Sequence, residues 1–434
     1  MSANPGEGGE FFGRIPLFRE FARLLAGESG PVNWELARQV AVATAAGAEA
    51  LGAAPALPSP AYAPEPGEQR AWDERLRLAE LWVEPVSSLP APPRPLIARP
   101  VSRPDWAEAV LPQVAPLVEP AARRMAEAAA PGPGTEAGVP PEMAGMVGRL
   151  GSLIAGLQVG GVVGQLARLA LGQYDLPIPA ADPAKVQLLV ENVHAFEQAA
   201  DLPVDQLRLW LACHEVIRQR LFAGVAWLPG HLRELLEEMA RLTEPDPAGL
   251  MEKLQDLNHL ENLQEMLEGG GLLGEPSPAL QAATGRLAVV LALASGYAVA
   301  LCGRVLGGRL PALAAIEAAV DRRLSDPGGA HALFAQLLRV EPALAAAARG
   351  QRFCSEVLAA TDVEGLDRIW AHPNFLPSPE ELDAPGRWLE RVGLVGGQEI
   401  SLEEGLRALL GNGDEGPDEG PGQESGQGTD QESG

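Results

Sequence analysis

The sequence predicts a mainly α-helical α+β protein with a small sheet preceding one central helix, and three observations carry this. Long segments repeat apolar residues at the spacing of a helix face, Pro- and Gly-rich stretches separate them, and two short β-type runs, QYDLPIP and VQLLV, stand before Asn192. With 434 residues, 46% of them hydrophobic, the chain is long enough to bury a sizeable core. Residues 11–410 read as one large domain carrying a Pro/Gly-rich insert at 130–143. Residues 1–10 and the acidic tail 411–434 lack the apolar content to fold.

Taken in order, FFGRIPLFREFARLLAG from Phe11 has helical spacing and closes at Gly27. The next segment, GPVNWELARQVAVATAAG, predicts a helix capped by Asn33, with a capping-box acid two to three positions later and Gly47 near its end. A further helix spans about Glu68 to Trp82. PVSSLPAPPRPLIARPVSR is an extended connection that its prolines keep from being helical. PDWAEAVLPQVAPLVEPAARRMAEAA is helical again, with Asp105 near its start and Pro112 and Pro116 as kinks.

Two uncharged stretches follow the pattern of buried helices. LGSLIAGLQVGGVVGQLA (150–167) sets Gly156, Gly160 and Gly164 four apart, which suits close helix packing, and LAVVLALASGYAVALCG (287–303) is uncharged between Arg286 and Arg304. Both reach only the lower limit of a bilayer span, so no membrane span is expected. Between them lie the strand candidates, a helix through His214 and Glu215 that ends before Pro229, another over about 230–242 and an amphipathic segment over 247–268. GGG at 269–271 breaks the chain. Helices near 311–325, 328–339 and 342–360 and the closing segments GLDRIWAHPNFLPSPEEL and GRWLERV complete it.

The formal charge of -25 argues against nucleic acid or an anionic membrane as partner, because phosphate binding needs a concentrated basic face. Cys213, Cys302 and Cys354 are odd in number and lie in apolar helical patterns, which implies reduced, packed thiols. The N-terminus lacks a basic segment followed by an apolar one, so the expectation is a cytoplasmic protein. There is no phosphate-binding loop, since GGGLLGE lacks its Lys, and no Ser nucleophile elbow.

The chemistry-bearing stretch is LRLWLACHEVIRQRLFAGVAWLPGHL, residues 207–232. Positions i and i+4 share a helix face, which is how His-Glu-x-x-His holds a zinc ion while its glutamate activates the bound water. Here His214 and Glu215 are followed by Arg218 where the second histidine would stand.

Several stretches, PVNWELARQVA, LGQYDLPIP, VENVHAFEQ, the HEVIR helix, GLDRIWAHPNFLPSPEEL and GRWLERV, together resemble the actinobacterial zincin-like metallopeptidases often associated with biosynthesis of a deazaflavin coenzyme. They fall in the expected order across residues 31–393. The resemblance implies a zincin-like fold, with Glu215 as the general base and His214 as the first zinc ligand. The family's later Glu-Gly-His helix, the source of the remaining ligand, corresponds to Ser295-Gly296-Tyr297, so only His214 of the coordinating set is kept.

A catalytic zinc takes three protein ligands and a water. Arg218 would repel a dication and, at i+3 from Glu215, could form an ion pair with it. His194 and His231 could stand in as ligands, but a lone histidine on or beside an apolar helix reads as structural. Cys213 points about 100° away from His214 around the helix, and Cys302 lies two turns beyond Ser295. Tyr297 reads as packing without a metal, the His259 and Glu261 pair as solvated face, and His331 and His372 have no partner that sequence supplies. The reading is a non-catalytic zincin-like protein without a cofactor, serving as a binding or scaffolding module for a protein or peptide. Its cleft would be lined by the vestigial set His214, Glu215, Arg218, Ser295 and Tyr297. The alternative is an active zinc-dependent metallohydrolase with non-standard ligands. The oligomeric state is open.

Overall fold

The computed structural model describes residues 30–47, 65–129, 141–243, 277–338 and 343–395. The N-terminal segments, residues 130–140 of the insert, the 247–268 segment with His259 and Glu261, the GGG break and the acidic tail lie outside the described residues. The chain divides into two units, Met1–Trp388 and Leu389–Gly434.

The first unit opens with α1 (Trp34–Ala45). Asn33 Oδ1 accepts from the Leu36 N–H at 2.9 Å, and Gly47 takes the left-handed φ of 95° that ends the helix. The expected capping box is absent, because Leu36 occupies the third helical position and Glu35 pairs with Arg38 at 2.8 Å instead. Ser378 and Glu381 form a capping box far downstream, on the short helix Pro379–Leu382.

Helix α2 (Pro66–Val83) leads to β1 (Ile97–Pro100), and α3 (Arg103–Ala129) runs on through Pro112, Pro116 and Pro120. Helix α4 (Pro141–Leu169) precedes β2 (Lys185–Leu188). The two strands pair in parallel, Ile97 with Lys185 through Pro100 with Leu188, and this small sheet stands before the HEVIR helix. VQLLV supplies β2. The partner strand comes from the connection that sequence marked only as extended. QYDLPIP is not a strand: an isolated bridge, Gly172 to Leu188, lies just before it, and the amides where the loop begins are spent on side chains. The Leu171 N–H goes to Asp175 at 3.0 Å and the Tyr174 N–H to Glu215 at 3.0 Å.

Helix α5 (Val190–Ala200) leads into α6 (Val204–Gly224), which carries the motif, and α7 (Leu228–Leu242) follows with Pro229 in its first turn. Every residue of α6 from Trp210 to Phe222 is buried, the signature of a helix enclosed on all sides. Helix α8 (Pro278–Leu306), capped by Ser277, packs against α6, α7 and α11. After it come α9 (Leu313–Leu324), α10 (Ala330–Leu337), α11 (Ala343–Ala360) and α12 (Val363–Asp367).

By length and apolarity two helical stretches could cross a membrane, Gly151–Leu169 and Pro278–Leu306, yet 50% and 78% of their most apolar windows are buried by protein neighbours. In α4 the glycine spacing explains why. A Cβ on Gly156, Gly160 or Gly164 would lie 2.5 to 2.7 Å from a backbone oxygen of α1 or its cap: Asn33, Ala37 and Ala41. In the second unit, the described residues 389–395 close a helix end with bonds from Gly393 N–H to Glu390 and from Leu394 N–H to Leu389.

Candidate functional site

Helix geometry alone gathers His214, Arg218, Glu215 and Gln219 within about 140° of the α6 circumference. All four are buried, His214 at 6% exposure, Glu215 and Gln219 at 0% and Arg218 at 1%. From across the interface with α8, Ser295 Oγ accepts from Arg218 Nη2 at 3.4 Å. His214 stacks on Trp210 one turn earlier, with ring centroids 5.2 Å apart.

Glu215 is held by the loop after α4. Its Oε2 accepts from the Tyr174 N–H, and Gly172 lies so close that a Cβ there would stand 2.7 Å from Oε1. Burial pushes the Glu215 carboxyl up to about 8, against the Tyr174 amide and the Arg218 charge and aided by Asp175. The expected Arg218–Glu215 ion pair is not made within contact distance. Glu215 Oε1 and Arg218 Nε and Nη1 have no hydrogen-bond partner among the described residues. Burial lowers Arg218 to about 10, which leaves it a cation at neutral pH, and burial followed by the Arg218 charge drives His214 well below the ordinary imidazole range.

The loop also brings in residues that sequence reasoning missed. Asp175, 6% exposed, takes both terminal nitrogens of Arg323 from α9, one of them at 2.9 Å, and His331 Nε2 from α10 lies 3.9 Å away. Burial alone would raise Asp175, but the Arg323 charge and hydrogen bonds prevail and hold it well below the carboxylate range. Burial lowers His331 to about 4. The available signal was an acid set between apolar residues, Tyr174 and Leu176, in one of the stretches that carried the resemblance.

Tyr297 is placed elsewhere. Two positions past Ser295 it points about 200° around α8, where its hydroxyl donates to Asp367 Oδ1 at 2.6 Å and its ring meets Trp370 edge-on. Asp367 in turn accepts from the Ser88 N–H and hydroxyl. His194 lies beside Glu68, His231 against Trp227, and His372 caps a short helix by accepting from the Asn374 N–H. The three cysteines are free and buried. No accessible cleft is lined by the five residues expected to line one, since burial has closed over all of them. Among the described residues no group of three His, Cys, Asp or Glu side chains is placed to hold a metal ion.

The His-Glu pair on a buried helix stands where a zincin-like metallopeptidase carries the first half of its His-Glu-x-x-His motif. The profile described as zincin-like metallopeptidase matches residues 32–389, and the chain belongs to that family. A crystal structure from Chloroflexus aurantiacus, described as a candidate hydrolase with a novel fold, is similar over 84% of this chain and 100% of that one. Its TM-score is 0.58 at 22% sequence identity, a likeness of fold. No curated protein matches the chain.

Proposed function

We propose that this protein is a non-catalytic member of its family, kept as a binding or scaffolding module, in which Arg218 fills the place of the metal. One observation carries the reading, the Arg218 to Ser295 hydrogen bond of 3.4 Å. The two positions from which the family's motifs would bring ligands lie in contact, and they hold a guanidinium and a hydroxyl. Neither replaces an imidazole or a carboxylate on zinc, and the guanidinium brings positive charge where a dication would stand. His214 is then the lone ligand type in the set. Glu215, fully buried and mostly protonated at neutral pH, is poorly suited to take a proton from water. With this site enclosed, a peptide or protein partner would be met by the outer surface.

The test is metal content. The purified protein is expected to hold no zinc, and Arg218→His with Ser295→Glu to take up about one zinc per chain, through His214 and the two new side chains, as three-ligand sites do. Tyr297 stays unchanged, since it faces Asp367. One zinc per native chain would instead establish the metallohydrolase with non-standard ligands. A well-folded double variant that takes up none would break the proposed correspondence of positions.

A further inference from the structure

Arg218 keeps a full charge in the interior with no counter-ion in contact among the described residues. Among them its Nη2 alone is engaged, at the long reach of 3.4 Å to Ser295 Oγ, while Nε and Nη1 find no partner. Of the nearby acids, Asp175 is committed to both terminal nitrogens of Arg323, and Glu215, whose Oε2 takes the Tyr174 amide, makes no ion pair with Arg218 within contact distance. On the same side of α6, His214 Nδ1, Glu215 Oε1 and both ends of the Gln219 amide also find no hydrogen-bond partner among the described residues. Buried charges persist where an opposite charge satisfies them, and buried donors where an acceptor does.

We propose that a small monovalent anion of the halide class binds between α6 and α8, accepting from Arg218 Nε and Nη1. The Ser295 hydroxyl, whose oxygen is taken by Nη2, has its proton free to donate to the same ion. Burial sets the class of ligand. With Arg218 at 1% and Ser295 at 3% exposure, a carboxylate or phosphate attached to a peptide or nucleotide has no open way in, which favours a small free ion. Charge agrees: beside the Arg323 guanidinium that Asp175 neutralises, Arg218 is a cation without an ion-pair partner among the described residues, which suits a single negative charge. The inference rests on the absence of a metal at the motif, as read above.

Crystals of the full chain grown in sodium bromide test it directly. An anomalous peak is expected within about 3.5 Å of Arg218 Nε or Nη1. In solution, exchanging gluconate for chloride or bromide at equal ionic strength is expected to raise the thermal midpoint by about 2 °C or more, since a ligand of the folded state stabilises it. Arg218→Met keeps the length without the charge and is expected to lose that response. No bromide peak at Arg218, or peaks on the outer surface alone as adventitious ions only, overturns the anion site. Zinc analysis of the same preparation separates the two failures: one zinc per chain sinks the non-catalytic reading, whereas a metal-free protein indifferent to bromide sinks only this inference.

Discussion

Asp175 is the residue whose removal the core should tolerate least. It accepts from both terminal nitrogens of Arg323 and from the Leu171 N–H, and it faces His331, with side-chain exposures of 9% for Asp175 and 17% for Arg323. Asp175→Asn leaves a largely buried guanidinium without its counter-charge, and urea unfolding at pH 7 is expected to show a loss of about 3–5 kcal/mol. Asp182→Asn, at the surface beside Lys185, is expected to change little. A loss near zero at Asp175 would mean that the Leu169 carbonyl, the other acceptor for Arg323, suffices. The pairing within this cluster was not legible in the sequence, because Asp175 and Arg323 are 148 positions apart and no spacing rule joins them. The His214, Glu215 and Arg218 face was legible, since helix periodicity fixes it locally. Ser295 could be placed opposite it only through the family's second motif.

At the scale of elements, three consecutive residues of α8 serve three neighbours, because successive side chains turn about 100° around a helix. Ser295 meets Arg218 of α6, Tyr297 meets Asp367, and Gly296 lets α11 approach to backbone contact. The crossing is reciprocal: a Cβ on Gly296 would overlap the Gly350 backbone, and one on Gly350 the backbone of Ala292. Gly350→Ala is therefore expected to cost about 3 kcal/mol through overpacking. Gly161→Ala, inside α4 with nothing within 4 Å of the new methyl, is expected to gain about 0.5–1 kcal/mol from propensity and a less flexible unfolded chain. Thermal unfolding of the two variants should shift in opposite directions, and a shift of the same sign would refute the crossing. Sequence displayed the Gly156, Gly160 and Gly164 stripe and its meaning as close packing, because the signal is periodic. It misassigned QYDLPIP for the converse reason: which way those amides turn depends on Glu215 and Asp175, information that a local pattern does not hold.

For the whole molecule, the enclosed ionisable groups shape stability against pH, and their signs can be worked out. Glu215 keeps its proton up to about 8 in the folded chain, whereas an unfolded glutamate loses it near 4.3. Between those values the folded state binds the extra proton, so stability falls as pH rises. His331 is lowered to about 4, against about 6.5 unfolded, so between those values the unfolded state binds the extra proton and stability rises with pH. His214 and His231, also lowered, act in the same sense. Asp175, held far down, contributes stability that is present above its unfolded pKa near 3.9 and lost below it. Above pH 6.5, where the unfolded histidines have lost their protons, the fall set by Glu215 prevails, and the buried thiols, raised by burial, add to it above about pH 8. Unfolding free energies from urea titration are therefore expected to peak near pH 6.5 and to fall by up to about 2 kcal/mol by pH 8. Glu215→Gln, which mimics the protonated carboxyl at every pH, is expected to flatten that decline. A wild-type profile that is level or rising from pH 6.5 to 8 would mean that Glu215 is ionised in the fold and serves Arg218 as its counter-ion, leaving no charge for an anion to balance.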